Sequence, residues 1–221
     1  RRSPAAAASA STFDPMHCWN CTGFLCAGPF CEVCKKIQPL APEADAFAVL
    51  GLDRRFALDP ASTESRYREL QRKLHPDRFA LAQPNERQMS LQWATAVNDA
   101  HRVLSDPIRR AEYLLERAGL RISEENGGGP AKVDPAFLAE VMELRENLAE
   151  ALVSHDAARV AQMAEKVAAE RDEIVRGLAE RFGAWEKTGD DRALVPIAPL
   201  LGRLRYYKRF LDEAQGTEAE R

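Results

Sequence analysis

Apolar residues recur at three- and four-residue steps through nearly the whole chain after residue 43, the spacing of helices that each bury one face. No sustained two-residue alternation interrupts them, and no hairpin dipeptide stands between β-branched runs, so the pattern predicts an all-α fold. A first short helix falls at about 43–51. Asp59 and Pro60 read as an N-cap and a first helical residue. The helix they open carries Tyr67, Leu70 and Leu74 on one face and Arg66, Arg68, Arg72 and Lys73 towards the other. A third helix begins near Pro84 and aligns Met89, Trp93, Val97, Ala100 and Leu104, until Ser105-Asp106-Pro107 breaks it. A fourth, about 107–118, stops at Gly119, a C-cap residue by type.

The stretch SEENGGGPAKVD, residues 123–134, sets three glycines and a proline between charged residues. That composition predicts a flexible linker, with bounds at about 120–134, after a compact helical domain over 43–119. Beyond it come helices at about 135–153, 156–183 and 197–214. Their predicted core faces are Phe137, Val141, Leu144, Leu148 and Leu152; Val160, Met163, Val167, Ile174, Leu178 and Phe182; and Leu200, Leu204, Tyr207 and Leu211. Three such stripes should cover one another as a small bundle over 135–214.

Composition narrows the class. The chain has 221 residues, 45% hydrophobic and 29% charged, which suits a globular protein of one or two domains. A net charge of −3 offers bulk electrostatics no reason to expect a nucleic acid or a membrane as partner. No apolar run approaches the roughly 20 residues that span a bilayer. Residues 1–15, RRSPAAAASASTFDP, are small, Arg-led and almost free of acid. They fit a disordered tail, an added leader or the remnant of a transit peptide, and Met16 is a candidate natural start.

All five cysteines lie within residues 18–34, which reads as a local metal site in a reducing compartment rather than a disulfide framework. CWNC (18–21) and CEVC (31–34) form two knuckles, and two knuckles supply the four thiolates of a closed tetrahedral site. Structural zinc on Cys18, Cys21, Cys31 and Cys34 is the leading reading for a segment over 16–40. A redox dithiol pair, unligated thiols and a mononuclear iron site are the alternatives. Cys26, midway between the knuckles, is expected to be a spare.

In RYRELQRKLHPDRFA, residues 66–80, a basic amphipathic helix runs into His75, Pro76 and Asp77. Proline stops that helix, so the loop after Lys73 is not expected to be helical at Pro76. His75 and Asp77 should stand at a convex tip, where fixed polar groups suit docking on another protein rather than holding a substrate.

Helix, HPD, helix, and then VNDAHRVLSDPIRRAEYLL (97–115) together resemble the J-domain that recruits and activates DnaK-type ATPase chaperones. The Gly/Phe-rich continuation of general J-domains is absent. RAEYLL (110–115), a linker and AFLAEVMELRENLAEA (136–151) resemble instead the HscB family of iron–sulfur co-chaperones, and the paired knuckles resemble those of its eukaryotic and some bacterial members. The likeness runs from residue 18 to about 212. It implies an L-shaped molecule with two partners. Asp77 would meet a cation on a DnaK/HscA-type ATPase, and Arg68, Arg72 and Lys73 an acidic surface of it; ordinary solvated charge is the alternative for that face. Leu138 and Met142, bordered by Glu143, Glu146 and Glu150, would bind an IscU-type cluster scaffold, with Tyr206 at a position usually aromatic. Here the alternative is a core helix with a broad apolar face. Ala139 departs from the family pattern, where a larger apolar residue is common, so contact there should be weaker.

The sequence therefore predicts a co-chaperone, not an enzyme, that delivers a scaffold to an ATPase chaperone and stimulates its ATP hydrolysis. It would act in the cytoplasm or, alternatively, the mitochondrial matrix. A general J-domain co-chaperone for unfolded clients is the first rival. A zinc-knuckle nucleic-acid binder is a second, weakened because only Lys35 and Lys36 follow the cysteines.

Overall fold

A computed structural model describes residues 17–24, 28–120 and 134–216. The leader over 1–15, Cys26 and nearly all of the 120–134 linker lie outside the described residues. The fold is all-α, as the periodicity predicts, with seven α-helices among the described residues: α1 Ala46–Leu50, α2 Pro60–Leu74, α3 Pro84–Leu104, α4 Pro107–Arg117, α5 Pro135–Val153, α6 Ala157–Thr188 and α7 Ile197–Ala214. Two boundaries differ from the sequence reading. Asp45 caps α1 by accepting from Ala48 N–H at 2.8 Å, and Gly51, at φ +66°, closes it after five residues. A side chain there would also strike the Arg66 guanidinium at 2.9 Å. The other difference is in α6, which runs past Gly183 to Thr188 and ends at Gly189, also left-handed. α6 holds two interior glycines, Gly177 and Gly183, each at a cost of about 1 kcal/mol, and Phe182 beside the second is fully buried.

The described residues form two compact units, 17–53 with 61–102 and 54–60 with 103–216. The first unit gathers Phe47, Val49, Leu50, Leu70, Leu74, Trp93, Val97 and Ala100 in its core. Polar groups inside it are matched. Ser90, fully buried, donates to the Leu74 carbonyl at 2.7 Å, satisfying an orphan acceptor at the end of α2. Arg66 reaches the Leu50 carbonyl at 2.9 Å. Across the α2–α3 hairpin the Tyr67 and His101 rings stack at 3.9 Å, and His101 Nε2 stands 3.0 Å from Glu64.

The second unit is built on α5, α6 and α7, whose stripes meet in a cluster of Phe137, Val141, Leu148, Val167, Tyr207, Phe210 and Leu211. Tyr207 donates its hydroxyl to Glu170 at 2.7 Å. Burial, with that carboxylate, pushes the phenol up to about 12. Leu152 and Leu200 are not core as the spacing predicted. Ala151 and Leu201 take the buried positions, one residue along in each case, because the local face of each helix is set by its neighbours rather than by an ideal wheel.

The helix α4 packs within this second unit. The reason is visible in the contacts. Phe56 stacks on Phe182 at 4.9 Å beneath the Arg110 guanidinium, also at 4.9 Å. Asp106 caps α4 through Ile108 N–H at 2.8 Å and accepts from Lys208 at 2.7 Å. Arg205 pairs with Glu112. Burial opposes ionisation of Asp106, but Lys208 and the cap N–H groups hold its carboxyl below the usual range.

Leu148, fully buried in the bundle, sets a measurable scale for that core. Leu148→Ala should destabilise the protein by about 2–5 kcal/mol, the range for leucine deletion that leaves a cavity. Urea unfolding followed by circular dichroism checks it; a loss under about 1 kcal/mol would mean the cluster is loosely packed.

Candidate functional site

The paired knuckles are two loops of one build. In the first, Cys18 N–H donates to Gly23 O at 2.8 Å and Thr22 N–H to Cys18 O at 3.0 Å; in the second, Cys31 N–H donates to Lys36 O at 2.9 Å and Lys35 N–H to Cys31 O at 3.0 Å. Each closes on an isolated antiparallel bridge, His17 with Phe24 and Phe30 with Ile37. Each also turns at a left-handed residue just after its second cysteine, Thr22 (φ +57°) and Lys35 (φ +60°). The result brings the four outer cysteines together, all sulfurs within 4.8 Å, with Cys18–Cys34 at 3.6 Å and Cys21–Cys31 at 3.7 Å.

Four thiols so close cannot all ionise without a cation among them. Burial raises Cys18, but the backbone N–H groups of Cys21 and Asn20 outweigh it and lower the thiol to about 6. Cys34 is lowered chiefly by the Lys36 N–H. Cys21 accepts from the Gly23 N–H, which favours its thiolate, yet burial and the three neighbouring sulfurs push it up to about 12. A divalent metal removes that conflict. Tetrahedral zinc at about 2.3 Å from each sulfur places them roughly 3.8 Å apart, close to the spacing here. The donor set therefore fits a metal ion, and four thiolates leave it no open coordination position.

Sequence reasoning missed how firmly this segment is tied to the helices. Gln38, buried, donates its amide to Cys18 Sγ at 3.3 Å and to Lys36 O at 2.9 Å, while its backbone carbonyl accepts from Trp93 Nε1 at 2.8 Å. Lys36 pairs with the buried Glu86, in the first turn of α3, at 2.9 Å. The cysteine segment is thus part of the first compact unit. A glutamine after a knuckle carries no signal of this, because its partners come from α3.

The HPD triad spans the end of α2 and the start of a 3₁₀ turn, Pro76–Phe79: His75 caps the turn, and Pro76 and Asp77 lie within it. Pro76 ends α2 but is itself the first residue of that turn. This corrects the expectation of an irregular loop: the first helical position needs no N–H, and proline is preset for it. His75 Nδ1 stands 3.3 Å from the Asp77 backbone nitrogen and 3.6 Å from Asp77 Oδ2. The Asp77 carboxylate is 91% exposed. Of the basic residues, Arg68 pairs with Glu64 and Lys73 with Glu69, each at 2.6 Å and four residues apart. Arg72 is exposed and makes no ion pair among the described residues.

On α5, Leu138 and Met142 are 40% and 63% exposed; neither belongs to the bundle core. Glu143, Glu146 and Glu150 are exposed beside them, and Glu150 pairs with Arg159 at 3.0 Å. Tyr206 is half-buried, its ring edge-on to Phe137 at 5.9 Å, with the Arg203 guanidinium over the same phenylalanine at 4.5 Å.

A family model for the HSCB C-terminal oligomerisation domain matches residues 133–215, and one for the DnaJ domain matches 45–113. The iron–sulfur cluster co-chaperone protein HscB of Mus musculus is 33% identical over 213 residues, 94% of this chain and 84% of that one. The co-chaperone protein HscB homolog of Burkholderia multivorans is 37% identical over 175 residues, 79% and 94% of the two chains. The crystal structure of the human co-chaperone protein HscB superposes with a TM-score of 0.68 at 31% identity, covering 90% of this chain and 96% of that one.

Trp19, within the first knuckle and bonded to Ile37 O at 2.6 Å, and Trp93, reached through Gln38, both report on the cysteine cluster. Native mass spectrometry should find one bound metal ion per chain, lost on Cys18→Ser or Cys34→Ser. Stripping it with a chelator should shift tryptophan emission, from Trp19 and Trp93, while far-ultraviolet circular dichroism stays near its starting value, since the helical cores are apolar. Full metal retention in Cys18→Ser would remove Cys18 from the ligand set.

Proposed function

Because the chain belongs to the HscB family of iron–sulfur cluster co-chaperones, we propose that it presents an IscU-type cluster scaffold to a DnaK- or HscA-type ATPase chaperone and stimulates ATP hydrolysis there. The observation that carries this reading is the separation of two exposed surfaces. The HPD turn belongs to one compact unit, and the apolar, acid-edged face of α5 to the other. One molecule can then hold both partners, raising the concentration of scaffold beside the ATPase without any new contact between them.

In this reading Asp77, freely exposed, meets a cation on the ATPase, and His75 keeps the turn in shape through its bond to the Asp77 N–H. Pro76 fixes where α2 stops. Arg72 offers an unpaired charge, whereas Arg68 and Lys73 must share theirs with Glu64 and Glu69, so Arg72 should contribute most to steering. Leu138 and Met142 form the apolar centre of the scaffold contact, Glu143, Glu146 and Glu150 its margin, and Tyr206 an aromatic neighbour at half burial. Ala139 adds little. We take the metal on Cys18, Cys21, Cys31 and Cys34 to be zinc, in a structural role that braces the start of α3 through Lys36 and Glu86. We assign no chemical step to this chain; ATP is hydrolysed on the partner. The place of action we infer is the cytoplasm, with the mitochondrial matrix as the alternative. Among the described residues no helix is long and apolar enough to cross a membrane. A general J-domain role for unfolded clients fits less well, because the exposed face of α5 is edged with acid rather than broadly apolar.

Two sets of variants test the two surfaces separately. Asp77→Asn should leave circular dichroism unchanged and abolish stimulation of the ATPase; stimulation at the unsubstituted level would remove Asp77 from the contact. Leu138→Ala combined with Met142→Ala should weaken scaffold binding roughly tenfold or more, for about 1.4 kcal/mol lost, and leave ATPase stimulation without scaffold unchanged. Single Glu→Ala changes at 143, 146 or 150 should act mildly and mainly on the association rate, more so at low salt. If the double variant folds and binds scaffold normally, this assignment of α5 fails.

A further inference from the structure

Gln38 stands where several stretches of chain meet. It is 2% exposed, and every polar atom it carries has a partner. Its backbone N–H donates to Pro29 O, between the knuckles, at 2.8 Å, and its carbonyl accepts from Trp93 Nε1 on α3 at 2.8 Å. In the side chain, Oε1 accepts from the Trp19 N–H of the first knuckle at 3.4 Å. Nε2 faces Lys36 O at 2.9 Å, Ile37 O at 3.2 Å and Cys18 Sγ at 3.3 Å. The amide has one workable orientation. Turned over, its oxygen would face two carbonyls and the Trp19 N–H would lose its acceptor, so the amino group stays beside Cys18. Two protons serve those three acceptors. Lys36 O, the nearest, takes one. Ile37 O already accepts from Trp19 Nε1 at 2.6 Å, which leaves the second proton for the sulfur. A buried donor aimed at a ligating sulfur stabilises the negative charge that a thiolate keeps when it binds a cation.

We propose that Gln38 is a positioning residue of the metal centre: its amide holds Cys18 in place as a ligand, and its carbonyl ties that hold to α3. This rests on the reading of Cys18, Cys21, Cys31 and Cys34 as the metal ligands, and adds a residue that bonds a ligand rather than the metal. Cys18 also receives the Asn20 N–H at 3.4 Å, but that bond lies within its own knuckle. Gln38 comes from beyond both loops and bonds to each of them. Together with the Trp19 Nε1 bond to Ile37 O, its amide sets the sulfurs of one knuckle against those of the other. The same residue makes metal retention depend on α3. By linkage, whatever loosens the Gln38 side chain weakens the metal, and losing the metal loosens the hold of the Gln38 carbonyl on Trp93. Packing alone would ask only for a side chain of this size, with no preference for a donor over an acceptor beside the sulfur.

The test uses the full chain, with zinc affinity from competition against a chromogenic chelator and cobalt(II) as a visible probe of the same site. Gln38→Met fills nearly the same volume without a donor. It should weaken zinc about tenfold or more, the usual cost of removing a group that bonds a ligand. Without the N–H the sulfur gives up its electrons more readily, so the thiolate-to-cobalt charge-transfer band should move to longer wavelength. Gln38→Glu keeps the shape but turns an acceptor towards the sulfur, and should bind zinc more weakly than Gln38→Met. Trp93→Phe is the packing control: it breaks the link to α3 and keeps the amide, so the cobalt band should stay in place. Far-ultraviolet circular dichroism should stay near its starting value in all three. Zinc affinity and band position unchanged in both Gln38 variants would overturn the proposal and leave the four-cysteine reading standing. A band that moves as far in Trp93→Phe as in Gln38→Met would show that packing governs the site, and would overturn it equally. If the unsubstituted chain takes up neither zinc nor cobalt, the metal reading itself fails and the proposal falls with it.

Discussion

Each long helix of this protein carries a single apolar stripe, and a stripe left in water loses roughly 25 cal/mol for every Å² that burial would have removed. None of the helices can cover its own. The bundle of α5, α6 and α7 exists because Phe137, Val141 and Leu148 on one helix, Val167 on the next and Tyr207, Phe210 and Leu211 on the third complete one another. The same demand ties Phe56 and α4 to α6, through the Phe56–Phe182 stack.

Two exposed surfaces differ in their chemistry. The HPD turn of the first unit is polar: a proline-started turn holds Asp77 out into solvent, and His75 Nδ1 faces the Asp77 N–H. The surface of the second unit is apolar with an acidic edge, along α5. Polar groups at a turn make short-range, geometry-dependent contacts, while an apolar line on a helix takes up area with less angular demand. Such surfaces suit two different partners, and keeping them on separate compact units lets either be engaged without altering the other's core.

The cysteine cluster adds a third constraint, on position rather than binding. Its sulfurs are drawn together by two repeated loops, and the segment reaches α3 by specific polar links, Gln38 to Trp93 and Lys36 to Glu86. Buried polar links of this kind contribute modestly when intact and are costly when one partner is lost. They act as a register, fixing where the knuckles rest on the helix.

Much of this was legible in the sequence, for local reasons. Helical periodicity is a property of neighbours three and four residues apart, so the helices of the bundle and the α2–α3 pair were predicted nearly to their ends. The two C-x-x-C knuckles and the HPD triad are short enough to be read directly, and the exposure of Leu138 and Met142 followed from their offset from the Phe137–Val141 face. The tertiary structure decided what depends on distant residues. It placed α4 with the second unit, because Phe56 finds its partner on α6, and Asp106 and Glu112 find theirs on α7, far along the chain. It exchanged Leu152 for Ala151 in the core, extended α6 past Gly183, and made Pro76 the start of a 3₁₀ turn. It buried Gln38 and Glu86 as anchors of the cysteine segment. A period or a motif is carried by adjacent residues, but the partner of a buried side chain is chosen only when separate stretches of chain are packed together.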